Sequence, residues 1–218
     1  GGSCLDAAKS IWIQYERPDL DPDDVAPTGR LGLGVKAQLI AIPTTSGTGA
    51  ETTWPIVLTD TEEHCKISVG HPENIPSMAI VDPIFVSHLP PQITADTGMD
   101  ALTQLVESYV SLNASRLTDA MAIDGIRAAR DALLPLYDDP ASAAAARAGM
   151  AYAALLSGIT LAQTGLGSVH GLASPLGAFF PIPHGMVCGT LVATCARVNI
   201  EAMLERDPAP LEMVKAPF

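Results

Sequence analysis

The sequence is poor in basic residues and lacks any paired cysteine motif, and each lack excludes a class of protein. Lysine and arginine number 12 against 24 aspartate and glutamate residues, which gives a formal net charge of −12. Such a charge repels a phosphate backbone, so nucleic acid is not an expected partner. The 4 cysteines form no CxxC pair and no dense framework. This pattern favours a reducing compartment, and we expect the protein to be cytoplasmic.

The sequence also lacks a clear membrane span and an initiating methionine. Residues 148–169 carry no charge, but they include several Ser, Thr and Gln residues and contain glycines near their end. A buried helix is therefore favoured over a transmembrane one, and no membrane partner is expected. Because the chain begins with Gly1 inside a recognisable motif, the sequence predicts a fragment of a longer protein.

The sequence changes character near Thr94, and this change predicts two domains. Residues 1–93 alternate short apolar runs with Gly, Pro and Thr clusters, which is typical of an α/β domain. Residues 94–218 are alanine-rich with helical periodicity, which predicts an all-α domain. Strands are predicted at 37–42, 54–60 and 78–82, and helices at 3–14, 97–112, 117–136, 141–164 and 184–204.

Four residues in the second part have the types and spacing of a divalent-metal site: Asp100, Gln104, His170 and His184. Imidazole and carboxylate groups are common ligands of such cations. Asp100 and Gln104 are four positions apart and share one face of a predicted helix. The two histidines are fourteen positions apart with three prolines between them, so a loop is expected to bring them together.

The same residues also have structural interpretations. Thr97 followed by Asp100 resembles a capping box, which would place Asp100 in the first turn of a helix. Each histidine taken alone is compatible with a satisfied core or loop position. Cys188 and Cys195 lie seven apart on one predicted helix face and are interpreted as buried free thiols outside the site.

Two glycine-rich motifs in the first part are candidate phosphate-binding elements. GGSCLDAAKS places Gly1, Gly2 and Ser3 at a helix N-terminus, where free amides favour a phosphate. As an alternative, Ser3 and Asp6 form a helix cap and its partner. PTTSGTGAETT at 43–53 follows a predicted strand, where open α/β sheets bind ligands, although an ordinary turn is equally compatible.

The order of four motifs resembles the iron-containing (group III) alcohol dehydrogenases from Gly1 to about Asn199. These motifs are GGSxxDxAK, PTTSGTGAE, TADTGMDALT and HGLAxPLGAFFPIPHG. The resemblance implies an incomplete N-terminal Rossmann-like dinucleotide-binding domain followed by a C-terminal helical metal-binding domain. It also implies NAD or NADP as cofactor, Fe²⁺ or alternatively Zn²⁺ as metal, and a small alcohol or aldehyde as substrate.

The resemblance also assigns roles to individual residues. The cofactor-binding residues would be Gly1, Gly2, Ser3 and Asp6 at the pyrophosphate and Thr44, Thr45, Thr48 and Lys66 at the nicotinamide end. Asp100, His170 and His184 match three metal ligands of the family, and the two histidines are also expected to be catalytic.

Two residues depart from the family pattern, and both bear on mechanism. Gln104 stands where a histidine ligand is usual, and its amide oxygen binds a transition metal more weakly than imidazole does. Ser174 stands where a second histidine is expected in the proton path. The serine hydroxyl can pass a proton through water, but it cannot act as a base near neutral pH.

The leading hypothesis is a metal-dependent, NAD(P)-linked oxidoreductase that interconverts a small alcohol and its aldehyde or ketone. Three alternatives stay open: a metal-independent reductase resembling maleylacetate reductase, a lyase resembling dehydroquinate synthase, and a catalytically impaired nucleotide-binding homologue. The sequence does not identify the substrate or distinguish NAD from NADP. It also leaves the oligomeric state open, and a homo-oligomer is compatible with it.

Overall fold

The computed structural model describes residues 1–21, 29–60, 62–139 and 143–206. This part of the chain contains six α-helices and four β-strands. The helices are α1 (Gly2–Glu16), α2 (Pro91–Tyr109), α3 (Arg116–Asp138), α4 (Ala144–Thr164), α5 (Ser168–Phe179) and α6 (His184–Arg206). The strands are β1 (Ile40–Ala41), β2 (Ile56–Asp60), β3 (Cys65–Val69) and β4 (Met78–Ala79).

The strands form two small ladders in the first part of the chain. β1 and β4 pair in parallel with Ile40 opposite Met78, whereas β2 and β3 form an antiparallel hairpin with Ile56 opposite Val69. β1, β2 and β4 lie within the predicted strand ranges. β3 was not predicted, because its five residues follow an acidic turn and show only a short alternation of apolar positions.

A fully buried lysine joins α1 to the segment that leads into β2. Lys9 Nζ donates to the carbonyl oxygens of Thr53 at 2.7 Å and Pro55 at 3.2 Å. Burial lowers the pKa of Lys9 to about 8, although the charge of Asp6 opposes the shift. Asp6 in turn accepts a hydrogen bond from the backbone nitrogen of Val57 at 3.1 Å. These bonds fix the N-terminal turn of α1 beside the glycine-rich loop at 43–53.

Helices α2, α3 and α4 pack together around an apolar core rich in alanine. The buried members of this core are Leu105, Ala122, Ala129, Ala132, Leu136, Ala146, Met150, Ala153 and Leu156. Small residues let the helix axes approach closely, because little side-chain volume separates them. α6 packs against α2 and α5, which places its N-terminal end beside the middle of α2.

The start of α2 differs from the prediction. The helix begins at Pro91 rather than near Thr97, because proline is well suited to the first helical position. Thr97 therefore lies inside the helix, where its Oγ1 donates to the carbonyl of Ile93 at 2.8 Å. The capping-box interpretation is wrong, and Asp100 lies in the middle of α2. The division of the chain at residues 93 and 94 stays a prediction.

The segment between the two candidate histidines also differs from the prediction. It was expected to be a loop, but residues 168–179 form α5, with Pro175 inside the helix. Pro175 lies on the exposed side, where a missing backbone hydrogen bond can be compensated by water. No single helix carries both histidines, as predicted, but His170 lies on α5 and not in a loop. The start of the helix predicted at 141 lies outside the described residues, and α4 is described from Ala144.

Two helices, α4 and α6, are long and apolar enough to cross a membrane by length and composition alone. Half of the apolar window of α4 is buried against neighbouring helices, whereas 11% of that of α6 is buried. Core helices of soluble proteins pass the same test, so these two helices do not show a membrane protein.

A pair of glycines joins the 43–53 loop to α4. Gly49 has a φ of +63°, and a Cβ at this position would overlap the backbone of Gly158. A Cβ on Gly158 would in turn lie 2.6 Å from the carbonyl oxygen of Gly49. The contact therefore requires glycine on both sides, and it holds the loop against the helical part.

We expect Gly49→Ala to destabilise the protein strongly, because it combines backbone strain with overpacking. Gly32→Ala is the matched control, since Gly32 has a φ of +69° but no heavy atom within 4 Å of its Cβ position. The control should cost about 1 to 3 kcal/mol through strain. Gly49→Ala should exceed it by about 2 kcal/mol in the free energy of unfolding, measured by urea titration. Equal losses in the two variants would contradict the tight contact.

Candidate metal centre and cofactor loops

Three helices bring four potential ligand side chains into one cluster. Asp100 comes from the middle of α2, His170 from the first turn of α5, and His184 and Cys188 from the start of α6. One ligand atom from each residue lies within 4.8 Å of those from the others. The three residues predicted from the sequence as firm ligands are therefore adjacent. Cys188, which was kept outside the predicted site, lies beside them.

The carboxylate of Asp100 is shared by both imidazoles. Its Oδ1 lies 3.1 Å from His170 Nε2 and 3.6 Å from His184 Nε2. Cys188 Sγ lies 3.8 Å from His170 Nε2 and 3.7 Å from His184 Nε2. The same ring nitrogen of each histidine thus faces both the carboxylate and the sulfur.

Glycine at position 185 lets α6 begin directly against α2. A Cβ on Gly185 would overlap the backbone carbonyl of Asp96. The residue before it, His184, is the first residue of α6 and is therefore carried to the face of α2 that holds Asp100. This close approach accounts for the position of the glycine directly after the histidine.

Glu107 holds His170 from the opposite side of the ring, and it was missed in the sequence. Its Oε2 lies 2.5 Å from His170 Nδ1, and its Oε1 accepts from the backbone nitrogen of Val169 at 2.7 Å. Glu107 thus caps the N-terminus of α5 and directs His170 Nε2 towards Asp100. The spacing in the sequence could have indicated Glu107 as a site residue, because it lies seven residues after Asp100 on the same face of α2.

The protonation of the cluster follows from its burial and its charges. Burial opposes the charging of His170, but its bonds to Asp100, Cys188 and Glu107 outweigh burial and raise its pKa to about 11. Burial lowers the pKa of His184 despite the nearby charge of Asp100. Without a bound cation, one imidazolium therefore lies between two buried carboxylates.

Burial also governs the two remaining groups of the cluster. Burial raises the pKa of the Cys188 thiol, although the hydrogen bond to His170 acts in the opposite direction. Burial likewise disfavours the charged form of Glu107, but the hydrogen bond from His170 and backbone N–H groups hold the pKa of Glu107 below its ordinary value. Glu107 is therefore ionised and suited to orient the imidazole.

The donor types of this cluster fit the metal that the family resemblance implies. Two imidazoles, a carboxylate and a thiol are ligands of Zn²⁺ and Fe²⁺ in proteins. A carboxylate that binds the far nitrogen of a ligating histidine, as Glu107 does with His170, is a usual outer partner of such sites. The residues present therefore fit a divalent transition metal.

Gln104 lies one helical turn after Asp100 and is buried, but its amide is bound to a different helix. Ser157 of α4 lies with its hydroxyl 2.9 Å from Gln104 Oε1. Ser157 Oγ also lies 2.8 Å from the carbonyl oxygen of Ala154. Ligation of a metal by Gln104 stays a prediction.

The two glycine-rich motifs lie side by side, although 40 or so residues separate them in the sequence. The backbone nitrogen of Gly1 lies 3.4 Å from Thr44 Oγ1. A Cβ on Gly2 would lie 2.8 Å from Thr48 Oγ1. The N-terminus of α1 and the hydroxyl-rich loop therefore form one continuous surface, with Thr45 next to Gly1.

The alternative interpretation of Ser3 as a helix cap is wrong. Gly1 is the N-cap of α1, and no side chain caps this end of the helix. Ser3 is instead exposed in the first turn, beside free backbone amides. Asp6 is buried and bonded to β2, so its side chain serves the fold. Contact of these residues with a cofactor stays a prediction.

Lys66 and Ser174 lie near the cluster without joining it. Lys66 is on β3, and its Nζ lies 3.2 Å from the position a Cβ would take on Gly177 of α5. Burial is the largest cause that lowers the pKa of His184, and the positive charge of Lys66 also lowers it. Ser174 is half-buried one turn after His170, and its hydroxyl has no hydrogen-bond partner within the described ranges. The catalytic role of Ser174 stays a prediction.

Two family models match the chain. One is described as iron-containing alcohol dehydrogenase and matches residues 1–83. The other is described as the C-terminal part of the Fe-containing alcohol dehydrogenase family and matches residues 94–214. The chain belongs to the iron-containing alcohol dehydrogenase family. The predicted fold class, an α/β Rossmann-like part followed by a helical part, is confirmed by the solved structures that this family member resembles.

Individual relatives support the family membership along most of the chain. It is 38% identical over 207 residues to the NADPH-dependent butanol dehydrogenase of Clostridium saccharobutylicum, covering 94% of the chain and 53% of that protein. Its fold is similar to that of the alcohol dehydrogenase from Oenococcus oeni, with a TM-score of 0.87 and 35% identity over 94% of this chain and 53% of that one.

A third similar structure is a sulfoacetaldehyde reductase from Bifidobacterium kashiwanohense in complex with NAD⁺. The TM-score is 0.80, with 32% identity over 91% of this chain and 52% of that one. This member of the iron-containing alcohol dehydrogenase family spans about half the length of relatives such as the butanol dehydrogenase. It spans 24% of the length of the aldehyde-alcohol dehydrogenase 2 of Entamoeba histolytica.

We expect Glu107→Ala to cost about 3 kcal/mol in the free energy of unfolding, because it removes the partner of a buried, charged imidazole and leaves Val169 N–H unsatisfied. The control is Asp131→Ala, which breaks an exposed ion pair with Arg130 at 2.7 Å and should leave stability unchanged. Urea titration of both variants measures the difference. A Glu107 variant as stable as the control would contradict the orienting role.

Proposed function

We propose that the protein containing this chain is a metal-dependent, NAD(P)-linked oxidoreductase that interconverts a small alcohol and its aldehyde or ketone. The observation that supports it is the approach of Asp100, His170 and His184 from three helices to one point. Similarity to proteins named butanol dehydrogenase and alcohol dehydrogenase supports the substrate class.

The proposed metal ligands are Asp100, His170 and His184, with Gln104 as a weaker candidate. When bound, Fe²⁺ or Zn²⁺ would polarise the oxygen of the substrate and lower the pKa of an alcohol. With a metal bound, Glu107 would hold the remaining proton of His170 on Nδ1, so that Nε2 would be the ligand atom. Burial of Asp100 and Glu107 keeps water from competing for these groups.

The proposed cofactor site is the surface formed by the N-terminus of α1 and the 43–53 loop. Free amides of the first turn would bind the pyrophosphate near Gly1, Gly2 and Ser3. The threonine hydroxyls of the loop would hold the nicotinamide end, with Lys66 as a nearby cation. The cofactor carries the hydride, and the protein orients it against the substrate carbon. One relative is named an NADPH-dependent dehydrogenase, and one similar solved structure contains NAD⁺. Both cofactors are therefore candidates.

Ser174 is proposed to transmit the proton that the substrate oxygen gains or loses. It lies one helical turn from His170 and is half-buried, so a water molecule can bridge its hydroxyl to solvent. A serine hydroxyl cannot store the proton near neutral pH. We therefore expect the rate of proton transfer to depend on the access of water to Ser174 more than on the protonation state of its hydroxyl.

A metal-independent reductase is the second candidate, and Gln104 favours it. An amide replaces a potential imidazole ligand, and Ser157 binds this amide to α4. In such an enzyme, protein hydrogen-bond donors alone would polarise the carbonyl of the substrate. The two candidates share the fold and the cofactor, so only the metal requirement separates them.

We place the protein in the cytoplasm on the basis of its cysteines. Cys4 and Cys65 are free and exposed, which suits a reducing environment. The high negative charge argues against nucleic acid as a partner.

We expect His184→Ala to lose bound metal and to lower kcat/KM about 100-fold or more, equivalent to about 2.7 kcal/mol of transition-state stabilisation. His88→Ala is the control, because His88 is exposed and is not a member of the cluster. Elemental analysis and NAD(P)H consumption with short aldehydes give the two readouts. Turnover that survives complete chelation would exclude the metal-dependent mechanism in favour of the second candidate.

We expect Gly2→Ala to weaken NAD(P)H binding about tenfold, or about 1.4 kcal/mol, because the added methyl group displaces the Thr48 side chain from the proposed cofactor surface. Gly29→Ala is the matched control, since its Cβ position has no heavy atom within 4 Å. Fluorescence titration of NADH and NADPH measures both variants. Equal affinity in the two variants would place the cofactor elsewhere.

A further inference from the structure

We infer that Cys188 supplies its thiolate as a fourth protein ligand of the metal held by Asp100, His170 and His184. The inference rests on the proposed metal-dependent function and goes beyond it, because it names a sulfur donor that the sequence motifs did not indicate. The protein ligands of the metal would then be one oxygen, two nitrogens and one sulfur.

The position of Cys188 on α6 places its sulfur beside His184. The two residues are four positions apart, so they lie on one face of the helix in successive turns. Cys188 has 0% exposure, and its Sγ lies 3.7 Å from His184 Nε2 and 3.8 Å from His170 Nε2. The sulfur therefore faces the same ring nitrogens as Asp100.

The separations of the two imidazole nitrogens from the carboxylate and from the sulfur are close to those around one tetrahedral cation. Metal bonds of about 2.0 Å to nitrogen and oxygen and about 2.3 Å to sulfur place tetrahedral N and O donors about 3.3 Å apart. The corresponding separation of N and S is about 3.5 Å. The observed separations are 3.1 and 3.6 Å from Asp100 to the two imidazoles and 3.8 and 3.7 Å from the sulfur to them.

The structural alternative is a buried thiol that only fills the core. Cys188 does border an apolar cluster with Val169, Ala173 and Val187. A thiol that served packing alone would need no polar neighbour. Within the described part of the chain, however, the hydrogen-bond contacts of its Sγ are the two imidazole nitrogens. The sulfur therefore borders the apolar cluster and also faces both imidazole nitrogens, as ligation requires.

Gln104 is the competing candidate for the fourth ligand. Its hydrogen bond to Ser157 favours Cys188 as that ligand. Its amide is bonded to Ser157 on α4, 2.9 Å away. An amide oxygen has a second lone pair, so this bond does not by itself prevent ligation. A thiolate nevertheless binds Zn²⁺ and similar metals more strongly than an amide does.

Ligation by Cys188 forms a metal–sulfur bond and releases the thiol proton to solvent. The softer donor favours Zn²⁺ and Co²⁺ over hard cations such as Mg²⁺. A catalytic metal of this kind can expand its coordination number, so a fourth protein ligand is compatible with substrate binding.

Co²⁺ provides a direct test, because thiolate ligation produces an intense near-ultraviolet charge-transfer band that nitrogen and oxygen ligands do not. We expect the metal-free protein titrated with Co²⁺ to develop this band at one equivalent. Cys188→Ser should abolish the band and weaken Co²⁺ binding at least about tenfold. Cys195→Ser, on the same helix and partly buried, and Gln104→Ala should both keep the band.

The outcomes separate this inference from the function it rests on. Stoichiometric Co²⁺ binding without the band, or a band that persists in Cys188→Ser, would overturn ligation by Cys188 and leave the metal-dependent function standing. Failure of the unaltered protein to bind Co²⁺ would overturn both. If Cys188→Ser does not fold by circular dichroism, X-ray absorption of the unaltered Zn²⁺-loaded protein decides. One sulfur scatterer at about 2.3 Å supports the inference, and none refutes it.

Discussion

The buried carboxylate of Asp100 is the contact on which the rest of the site depends. One of its oxygens lies within hydrogen-bond distance of His170 and 3.6 Å from His184, so it connects α2 to both α5 and α6. A carboxylate with 3% exposure is stable only with charged or polar partners. The two imidazoles meet this need, and the same arrangement brings their Nε2 atoms to one point beside the carboxylate.

Glu107 extends this contact into the fold. Its carboxylate binds the far nitrogen of His170 and the backbone of Val169, so one side chain both starts α5 and orients a candidate ligand. The position of the histidine ring is therefore coupled to the stability of a helix. This coupling explains how a precise site is maintained on a short helix that contains proline.

Glycines determine how closely the elements around the site approach. Gly49 and Gly158 bring the cofactor loop against α4, and Gly185 brings the start of α6 against α2. Each contact excludes a Cβ, so the loop and the ligand-bearing helices are held at fixed separations. The proposed cofactor surface and the candidate metal centre are thus joined through α2 and α4 and not through a flexible connection.

The sequence by itself determined the order of motifs, the α/β and helical character of the two parts, and three of the four clustered donors. These features depend on residue type, periodicity and spacing, which are local. Only the tertiary structure decided the start of α2, the helical state of residues 168–179, the bond between Gln104 and Ser157, and the placement of Glu107 and Cys188. The roles of these residues depend on how three helices pack together. The sequence pattern of a cysteine among periodic apolar residues does not indicate whether its sulfur contacts a leucine or an imidazole.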